Sequence, residues 1–349
     1  HPGFDIEESN KYRRSNRVAQ YLQLQTFYPI ANGLSMSHSI FFHQFNTKYT
    51  NRSDIPISWL QEHALDKETN YDDINIGLRS EIILTKLSRW IIMAGYDIDW
   101  TQSNVDLLNQ QYDKPKQLSA GGFLQSKYSI GSGLSFNTGL RYDYRKTIPG
   151  NNFTNRAYNQ ITPKISLNYN INLKKKMVFS YSQGFRAPSI SELYLSHITT
   201  YGLEVKGNPN LLPEKVHALE FIYKNSENEN LLWDIAVFYN AYDNMIDFVY
   251  NVPTIAQNRE SVISNGLEYK FKYSPNTILT INGNYSYLYM KSLDGDPVLY
   301  RPKHKGKLFL NVNLDFININ VGAQYKSKQY YENFLEHFDM TEVLSRHLY

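Results

Sequence analysis

The chain of 349 residues contains no cysteine and no long apolar run. Without cysteine, disulfide scaffolds, thiol catalysis and cysteine-ligated zinc are excluded. The longest strongly apolar stretch extends only from Trp90 to Gly95, whereas a membrane-spanning helix needs about 20 such residues. The net charge is small, because 36 Lys and Arg residues are nearly balanced by 33 Asp and Glu residues. The charge therefore does not favour a nucleic-acid partner.

The chain is rich in aromatic residues, 15% of the total, and in apolar side chains that alternate with polar ones. From Leu134 to Tyr144, apolar or aromatic residues occupy nearly every second position. This alternation is typical of a β-strand with one apolar face and one polar face. It recurs in residues 74–84, 90–100, 161–171, 267–273, 279–289, 308–316 and 317–325. The sequence therefore predicts an all-β protein.

The lengths of strands and connections favour a membrane barrel. Segments of about eleven residues, tilted near 45°, rise roughly 25 Å, which is the height of the apolar band of an outer-membrane barrel. Long polar stretches alternate with short links near residues 29–33, 86–89, 131–133, 173–176, 225–231, 274–277 and 316–318. We therefore predict a transmembrane antiparallel up-and-down β-barrel with about 14 to 15 strands present, short periplasmic turns and long extracellular loops. A soluble β-sandwich also alternates, but its strands are shorter.

Two segments resemble a known family. Residues 181–194, YSQGFRAPSISELY, resemble the signature of the TonB-dependent outer-membrane receptors, and residues 207–214, GNPNLLPE, resemble that family's next landmark. Weaker matches occur at residues 139–143, 265–268 and 300–304. The residues that match the family pattern are Gly184, Phe185, Arg186, Ala187, Pro188, Ser189, Glu192, Leu193, Tyr194, Gly207, Asn208, Pro209, Leu211, Pro213, Glu214, Glu220, Gly266, Glu268, Arg301 and Pro302.

The resemblance implies a receptor in the outer membrane of a Gram-negative bacterium, which actively takes up a ferric siderophore, haem or cobalamin. The implied partners are outer-membrane lipid, the ligand, and the TonB energy-coupling complex, which such receptors engage through an N-terminal box. Such receptors also hold a globular plug inside a barrel of about 22 strands. Because neither box nor plug is recognisable, we expect residues 1–349 to be a barrel fragment without a plug domain. A passive porin of about 14 to 16 strands remains the alternative.

Arg186 is expected on the inner face at the outer end of its strand, because alternate residues of a strand face opposite sides. A guanidinium group in a confined lumen favours a bidentate carboxylate partner, and the candidates are Glu192, Glu214 and Glu220. We interpret this group as architecture that fixes a long loop to the barrel wall. The turns of that loop are attributed to Gly207, Pro188, Pro209 and Pro213.

Ligand contacts are expected from the extracellular loops, where aromatic rings suit flat or chelate-shaped ligands and cations suit anionic ones. The candidates are Tyr194, His197, Tyr201, Arg259, Tyr300, Tyr330 and Tyr331. Tyrosine at this depth also serves as an interface anchor. A further set of charges is expected on the inner face, where it either lines water or meets a plug, and the resemblance favours the plug: Arg79, Glu81, Asp97, Asp99, Arg141, Asp143, Glu268, Lys270 and Lys272.

Neither a metal site nor a catalytic site is predicted. The histidines do not group at metal-ligand spacing, as His38 and His43 illustrate. A barrel protease or phospholipase would need a histidine beside a serine or paired aspartates, and no such set stands out. We therefore expect neither enzymatic activity nor a cofactor.

Overall fold

The computed structural model describes residues 14–50, 68–105, 114–131, 133–151, 153–198, 204–249, 253–293, 298–299, 301–332 and 340–343. Within these ranges the chain forms β-strands and a short helix, α1 (Ile190–Tyr194). The strands are β1 (Arg14–Ala31), β2 (Leu34–Thr50), β3 (Glu68–Leu84), β4 (Trp90–Val105), β5 (Lys116–Ile130), β6 (Leu134–Ile148), β7 (Arg156–Asn170), β8 (Lys175–Arg186), β9 (Ser196–Ile198), β10 (Glu204–Lys206), β11 (Glu214–Asn228), β12 (Leu231–Val249), β13 (Thr254–Tyr273), β14 (Leu279–Ser292), β15 (His304–Leu314), β16 (Ile317–Lys326), β17 (Gln329–Glu332) and β18 (Met340–Val343).

The long strands form one antiparallel sheet in chain order. Its path runs from β1 to β8 and continues from β11 to β16, which makes fourteen strands. β9 pairs with β10, and β10 adds to β13 in parallel, while β17 and β18 form a separate pair. The predicted antiparallel up-and-down sheet is therefore confirmed.

Most of the fourteen long strands exceed the predicted eleven residues. Their lengths extend from 10 residues in β16 and 11 in β15 to 20 in β13. The excess lies at the ends that carry the long connections, where hairpins continue to pair beyond the alternating segment. For example, the register of β2 and β3 extends to Thr50 opposite Glu68, and Lys48 contacts the Glu68 carboxylate at 2.8 Å. Pairing of polar residues gives no apolar alternation, so the sequence pattern missed it.

Short turns join the strands at the opposite end of the sheet. The turn between β1 and β2 occupies only the two positions 32 and 33. Gly33 has a φ of +76°, and a Cβ atom there would lie 2.8 Å from the backbone nitrogen of Lys86. Position 33 therefore favours glycine for two reasons: its backbone is left-handed, and the neighbouring turn leaves no space for a side chain.

The two faces of the sheet differ as the alternation predicts. Leu124 and Leu140 lie opposite each other in register and are exposed on the apolar face. Gly121 and Asp143 lie opposite each other on the polar face, and this face also carries the connection between β8 and β11. We call the polar face the inner wall and the apolar face the outer face. No helix in the described ranges is both long enough and apolar enough to span a membrane.

Candidate functional site

The centre of the site is the charged cluster at the end of β8. Arg186 donates from Nε to Oε2 of Glu214 at 2.6 Å, and from Nη1 to both carboxylate oxygens of Glu192 at 3.0 and 2.8 Å. The guanidinium side chain is 44% exposed, whereas the two glutamates are 16% and 19% exposed. Glu214 also accepts a hydrogen bond of 2.6 Å from the backbone N–H of Ile246. The cluster therefore links the ends of β8, β11 and β12 with helix α1.

The local sequence places Glu192 at this cluster. Ser189 is the N-cap of α1, and its hydroxyl accepts from the N–H of Glu192, while the Glu192 carboxylate accepts from the N–H of Ser189 at 2.8 Å. This reciprocal arrangement is a capping box. Burial alone would raise the pKa of the Glu192 carboxyl group, but the hydrogen bonds from Arg186 and Ser189 outweigh it and lower that pKa. Glu192 is therefore held as a carboxylate.

An apolar core lies beneath the connection between β8 and β11, which we call loop 186–214. Leu193 and Leu211 of the loop are both 0% exposed. They pack in one cluster with the side chains Ile190, Tyr194, Ile246 and Ala256. The loop thus has a hydrophobic core of its own, which it shares with the ends of β12 and β13.

A close backbone contact completes the folding of the loop. A Cβ atom at Gly207 would lie 2.6 Å from the carbonyl carbon of Leu193 and from the backbone nitrogen of Tyr194. The N–H of Gly207 donates to the carbonyl of Leu195 at 2.8 Å. The second half of the loop can therefore pack on α1 only because residue 207 lacks a side chain.

Polar side chains of neighbouring strands bind the backbone of the loop. Gln117 of β5 donates to the carbonyl of Pro188 at 3.1 Å. The Tyr158 hydroxyl of β7 donates to the carbonyl of Leu211 at 3.1 Å. Asn258 of β13 accepts from the N–H of the next loop residue, at position 212, and donates back to its carbonyl. The loop is consequently attached to the inner wall on both sides of β8.

A small recess lies between the start of the loop and β4–β6. Its volume is about 130 Å³, and Asp99, Phe185 and Arg186 are among the residues that line it. Next to it, Arg141 donates to both oxygens of Asp97 at 2.8 and 3.0 Å and to Asp143 at 2.8 Å. A Cβ atom at position 121 would collide with Nη2 of Arg141, so glycine leaves room for this bridge across β5.

The remaining signature residues lie at several levels of the sheet. Glu220, predicted as a third partner of Arg186, lies opposite Ser180 instead, while Glu214 lies opposite Arg186. The two glutamates are six residues apart on one strand, a distance of about 20 Å, so that part of the prediction is wrong. Gly266 and Glu268 belong to β13, where Glu268 contacts Lys270 at 3.7 Å. The signature residues Arg301 and Pro302 lie in the connection that precedes β15.

We call the ion-paired residues Arg186, Glu192 and Glu214 the clamp. The loop residues close to it are Ala187, Asn208, Pro209 and Pro213. Ala187 is buried, and the carbonyl of Asn208 accepts a hydrogen bond of 3.3 Å from the N–H of Leu211. The Asn208 side chain also accepts from the N–H of residue 210 at 2.9 Å. This local turn directs the chain back toward Glu214.

Three of the predicted ligand contacts, Tyr194, Arg259 and Tyr330, have side chains within the described part of the structure. Tyr194 is 3% exposed and belongs to the loop core, so its ring is not presented to a ligand in this conformation. Arg259 is 8% exposed and donates to Asp247 at 3.1 Å. Tyr330 is exposed on β17. His197 lies in β9 and Tyr331 in β17, but their side chains, like all of Tyr201 and Tyr300, lie outside the described part of the structure.

Sequence reasoning missed the polar anchors of the loop. Gln117, Tyr158 and Asn258 occupy positions in regular alternating strands, and none of them is close to the loop in sequence. Their side chains reach the loop only because the folded sheet places β5, β7 and β13 beside it. In the part of the chain that the structure describes, no group of three or more histidine, aspartate or glutamate side chains has metal-binding geometry.

Known proteins resemble this chain along most of its length. Residues 3–339 match the family described as TonB dependent receptor-like, beta-barrel. The sequence is 23% identical over 280 residues to the vitamin B12 transporter BtuB of Photobacterium profundum. The aligned region covers 76% of this chain and 43% of that protein.

Among solved structures, the copper transporter OprC superposes with a TM-score of 0.76 at 12% identity, covering 92% of this chain and 54% of that one. The siderophore receptor PirA from Acinetobacter baumannii superposes with a TM-score of 0.73 at 12% identity, covering 96% and 55%. At these identities the superpositions show the fold alone. The chain spans about half the length of the proteins that it matches.

Proposed function

Because the chain belongs to the TonB-dependent receptors, whose β-barrel region matches residues 3–339, we propose that it forms the wall of a receptor that actively takes up a large, scarce nutrient. Members of this family are barrels of the Gram-negative outer membrane. They are receptors and transporters for nutrients.

The observation that carries the proposal is the signature loop clamped to the inner wall. Arg186, Glu192 and Glu214 are the family-pattern residues that form this clamp. A loop that is attached to β5, β7 and β13 presents a preformed surface at the mouth of the barrel. A preformed surface supports specific binding, because little conformational entropy is lost when a ligand binds.

A ferric siderophore is our first choice of ligand, with haem or cobalamin as alternatives. The named transporters that resemble the chain carry vitamin B12, copper and siderophores, so they support a scarce nutrient without selecting one. The outer face would contact outer-membrane lipid. Coupling to the TonB complex would use a segment outside residues 1–349.

Uptake by cells tests the proposal. The full-length protein is expressed in a Gram-negative strain that lacks its own receptors, and cells are supplied in turn with radiolabelled ferric siderophores, haem and vitamin B12. We expect accumulation of one ligand far above that of cells with an empty plasmid. Accumulation of none of them in cells that display the protein at their surface would contradict the proposal.

A passive channel is the second candidate, and one feature favours it. Loop 186–214 folds onto the inner wall, as a constriction loop of a porin would. A channel would admit small solutes in proportion to their external concentration and without an energy source. Energy dependence of transport therefore separates the two functions.

A further inference from the structure

Two lysines lie next to each other on the outer face of β5 and β6, at the end that carries the long connections. Lys116 lies opposite Ile148 and Lys146 opposite Leu118. The two lysines are therefore diagonal neighbours on adjacent strands, with Cβ atoms about 7 Å apart. Both lie an even number of residues from the exposed leucines of the outer face, so they point outward. We call Lys116 and Lys146 the lysine pair.

The lysine pair has no carboxylate partner. Neither lysine forms an ion pair within the ranges that the structure describes. The other outward lysines of the long strands at this end are arranged differently. Lys48 contacts Glu68 at 2.8 Å, Lys215 lies opposite Asp243, and Lys291 is a single charge opposite an isoleucine. Because two ammonium groups so close together repel each other, the lysine pair favours an anion that both can contact.

The lysine pair lies at the outer edge of the membrane. Near the short turns, the rings of Trp90 and Tyr128 pack with centroids 4.5 Å apart on the outer face. Lys116 lies twelve residues from Tyr128 along β5, which is a rise of about 28 Å for a strand tilted near 45°. The apolar band of such a barrel is about 25 Å tall. The ammonium groups therefore lie at the level of the lipid headgroups of the outer leaflet.

A shallow trough on the outer face leads from the lysine pair toward the middle of the membrane. Its floor is Ala120 and Gly122 of β5, and its sides are Tyr96 of β4 and Tyr142 of β6, which lie in register with Gly122. A Cβ atom at Gly122 would meet nothing closer than a backbone carbonyl oxygen at 4.0 Å, so the space above it is open. The flanking strands are two spacings apart, about 10 Å, which leaves room for a hydrocarbon chain. We call this feature the β5 trough.

We propose that the outer face of β4–β6 binds one phosphorylated lipid of the outer leaflet, with its phosphate on the lysine pair and an acyl chain in the β5 trough. Phosphate is the anion that a bilayer surface supplies at this level, and lysine binds it as a point charge. The lysine stems can lie along the apolar surface while their ammonium groups reach the phosphate. This lipid site goes beyond nutrient uptake, because it is on the side of the barrel wall that faces away from the lumen.

Native mass spectrometry of the full-length receptor tests the headgroup contact. The receptor in a non-ionic detergent is titrated with lipid A that carries two phosphates, and separately with zwitterionic phosphatidylethanolamine. We expect a one-to-one complex that forms at lower concentration with lipid A. The variant K116Q/K146Q should bind lipid A about 30-fold more weakly, because each lysine at an anionic lipid surface contributes about fivefold. K116R/K146R, which keeps both charges, should retain binding.

A second pair of lysines provides a matched control. The variant K215Q/K291Q removes the same number of charges from the same end of the outer face, where those lysines are not neighbours. It should leave the affinity for lipid A almost unchanged. Equal losses in K116Q/K146Q and K215Q/K291Q would overturn the inference, because they would show general attraction to a basic surface. Unchanged binding in K116Q/K146Q would overturn it as well.

The β5 trough has its own test. G122L fills the open space above the trough floor and should weaken lipid A binding. Gly306 is the matched control position, because it also lies on the outer face between two tyrosines, Tyr285 and Tyr325, but without a lysine pair beyond it. G306L should therefore leave binding unchanged. If G122L binds lipid A normally and inorganic pyrophosphate displaces the lipid from the lysine pair, the site takes a free phosphate anion, and the proposed lipid site is wrong.

Discussion

Replacement of Arg186 by alanine should release loop 186–214 from the inner wall. The substitution removes the hydrogen bonds to Glu192 and Glu214 and leaves two largely buried carboxylates without their cation. Breaking a fully buried ion pair costs about 3 to 5 kcal/mol. Because the Arg186 side chain is 44% exposed, solvent screens part of this interaction, and we expect a cost of about 2 kcal/mol.

Hydrogen exchange of the loop amides measures this cost. The protected N–H groups include those of Leu193, Leu195 and Gly207, which donate to backbone carbonyls within the loop. If the loop opens locally before exchange, a loss of about 2 kcal/mol accelerates exchange about 30-fold. Amides in the middle of β6 should be unaffected, because the sheet does not depend on the clamp.

Two further variants make the R186A experiment decisive. R89A removes an exposed arginine from a short turn and should leave loop exchange unchanged. The double variant R186A/E192Q should be less destabilised than R186A alone, because it neutralises one of the two carboxylates that R186A leaves unpaired. Loop exchange that is the same in R186A and in the unsubstituted protein would refute the reasoning, since it would mean that the apolar core alone holds the loop.

Two other predictions concern loop 186–214, and a third concerns the inner wall. The pKa of Glu192 is lowered in the folded protein, so its contribution to loop stability is complete above the ordinary value of 4.5 and is lost as the pH falls through the lower, folded-state pKa. Loop exchange, corrected for the intrinsic effect of pH on exchange, should therefore rise only below that ordinary value. A rise that begins near neutral pH would contradict this prediction. L193A removes a fully buried side chain and should destabilise the loop by about 2 to 5 kcal/mol, whereas L173A, at a fully exposed turn position, should have no effect on loop exchange. G121A should displace the guanidinium of Arg141 and lower barrel stability by about 1 to 2 kcal/mol, which denaturant unfolding followed by electrophoretic mobility can measure; unchanged stability would mean that the bridge to Asp97 is dispensable.

The sheet could be predicted from the sequence because its signal is local. Alternation from Leu134 to Tyr144 identifies β6 without knowledge of its neighbours. The paired extensions toward the long connections escaped prediction because polar hairpins lack that alternation, as the pairing of Thr50 with Glu68 illustrates.

The site was predictable only in part. The spacing of Ser189 and Glu192 is a capping-box pattern, so the start of α1 could have been found from the sequence. Alternation places both Glu214 and Glu220 on the inner wall and cannot rank them; only the register opposite Arg186 selects Glu214. The anchor Asn258 depends on the contact between β13 and a loop 46 residues away in sequence, and no local pattern encodes that contact.

The most direct test of the account is the energy dependence of ligand accumulation. Cells that express the full-length receptor are given the labelled ligand identified in the uptake assay, with and without a protonophore that dissipates the proton gradient. The account predicts accumulation above the external concentration, which stops when the gradient is dissipated while binding at the cell surface persists. Entry that follows the external concentration and is unaffected by the protonophore would contradict active uptake and identify a passive channel.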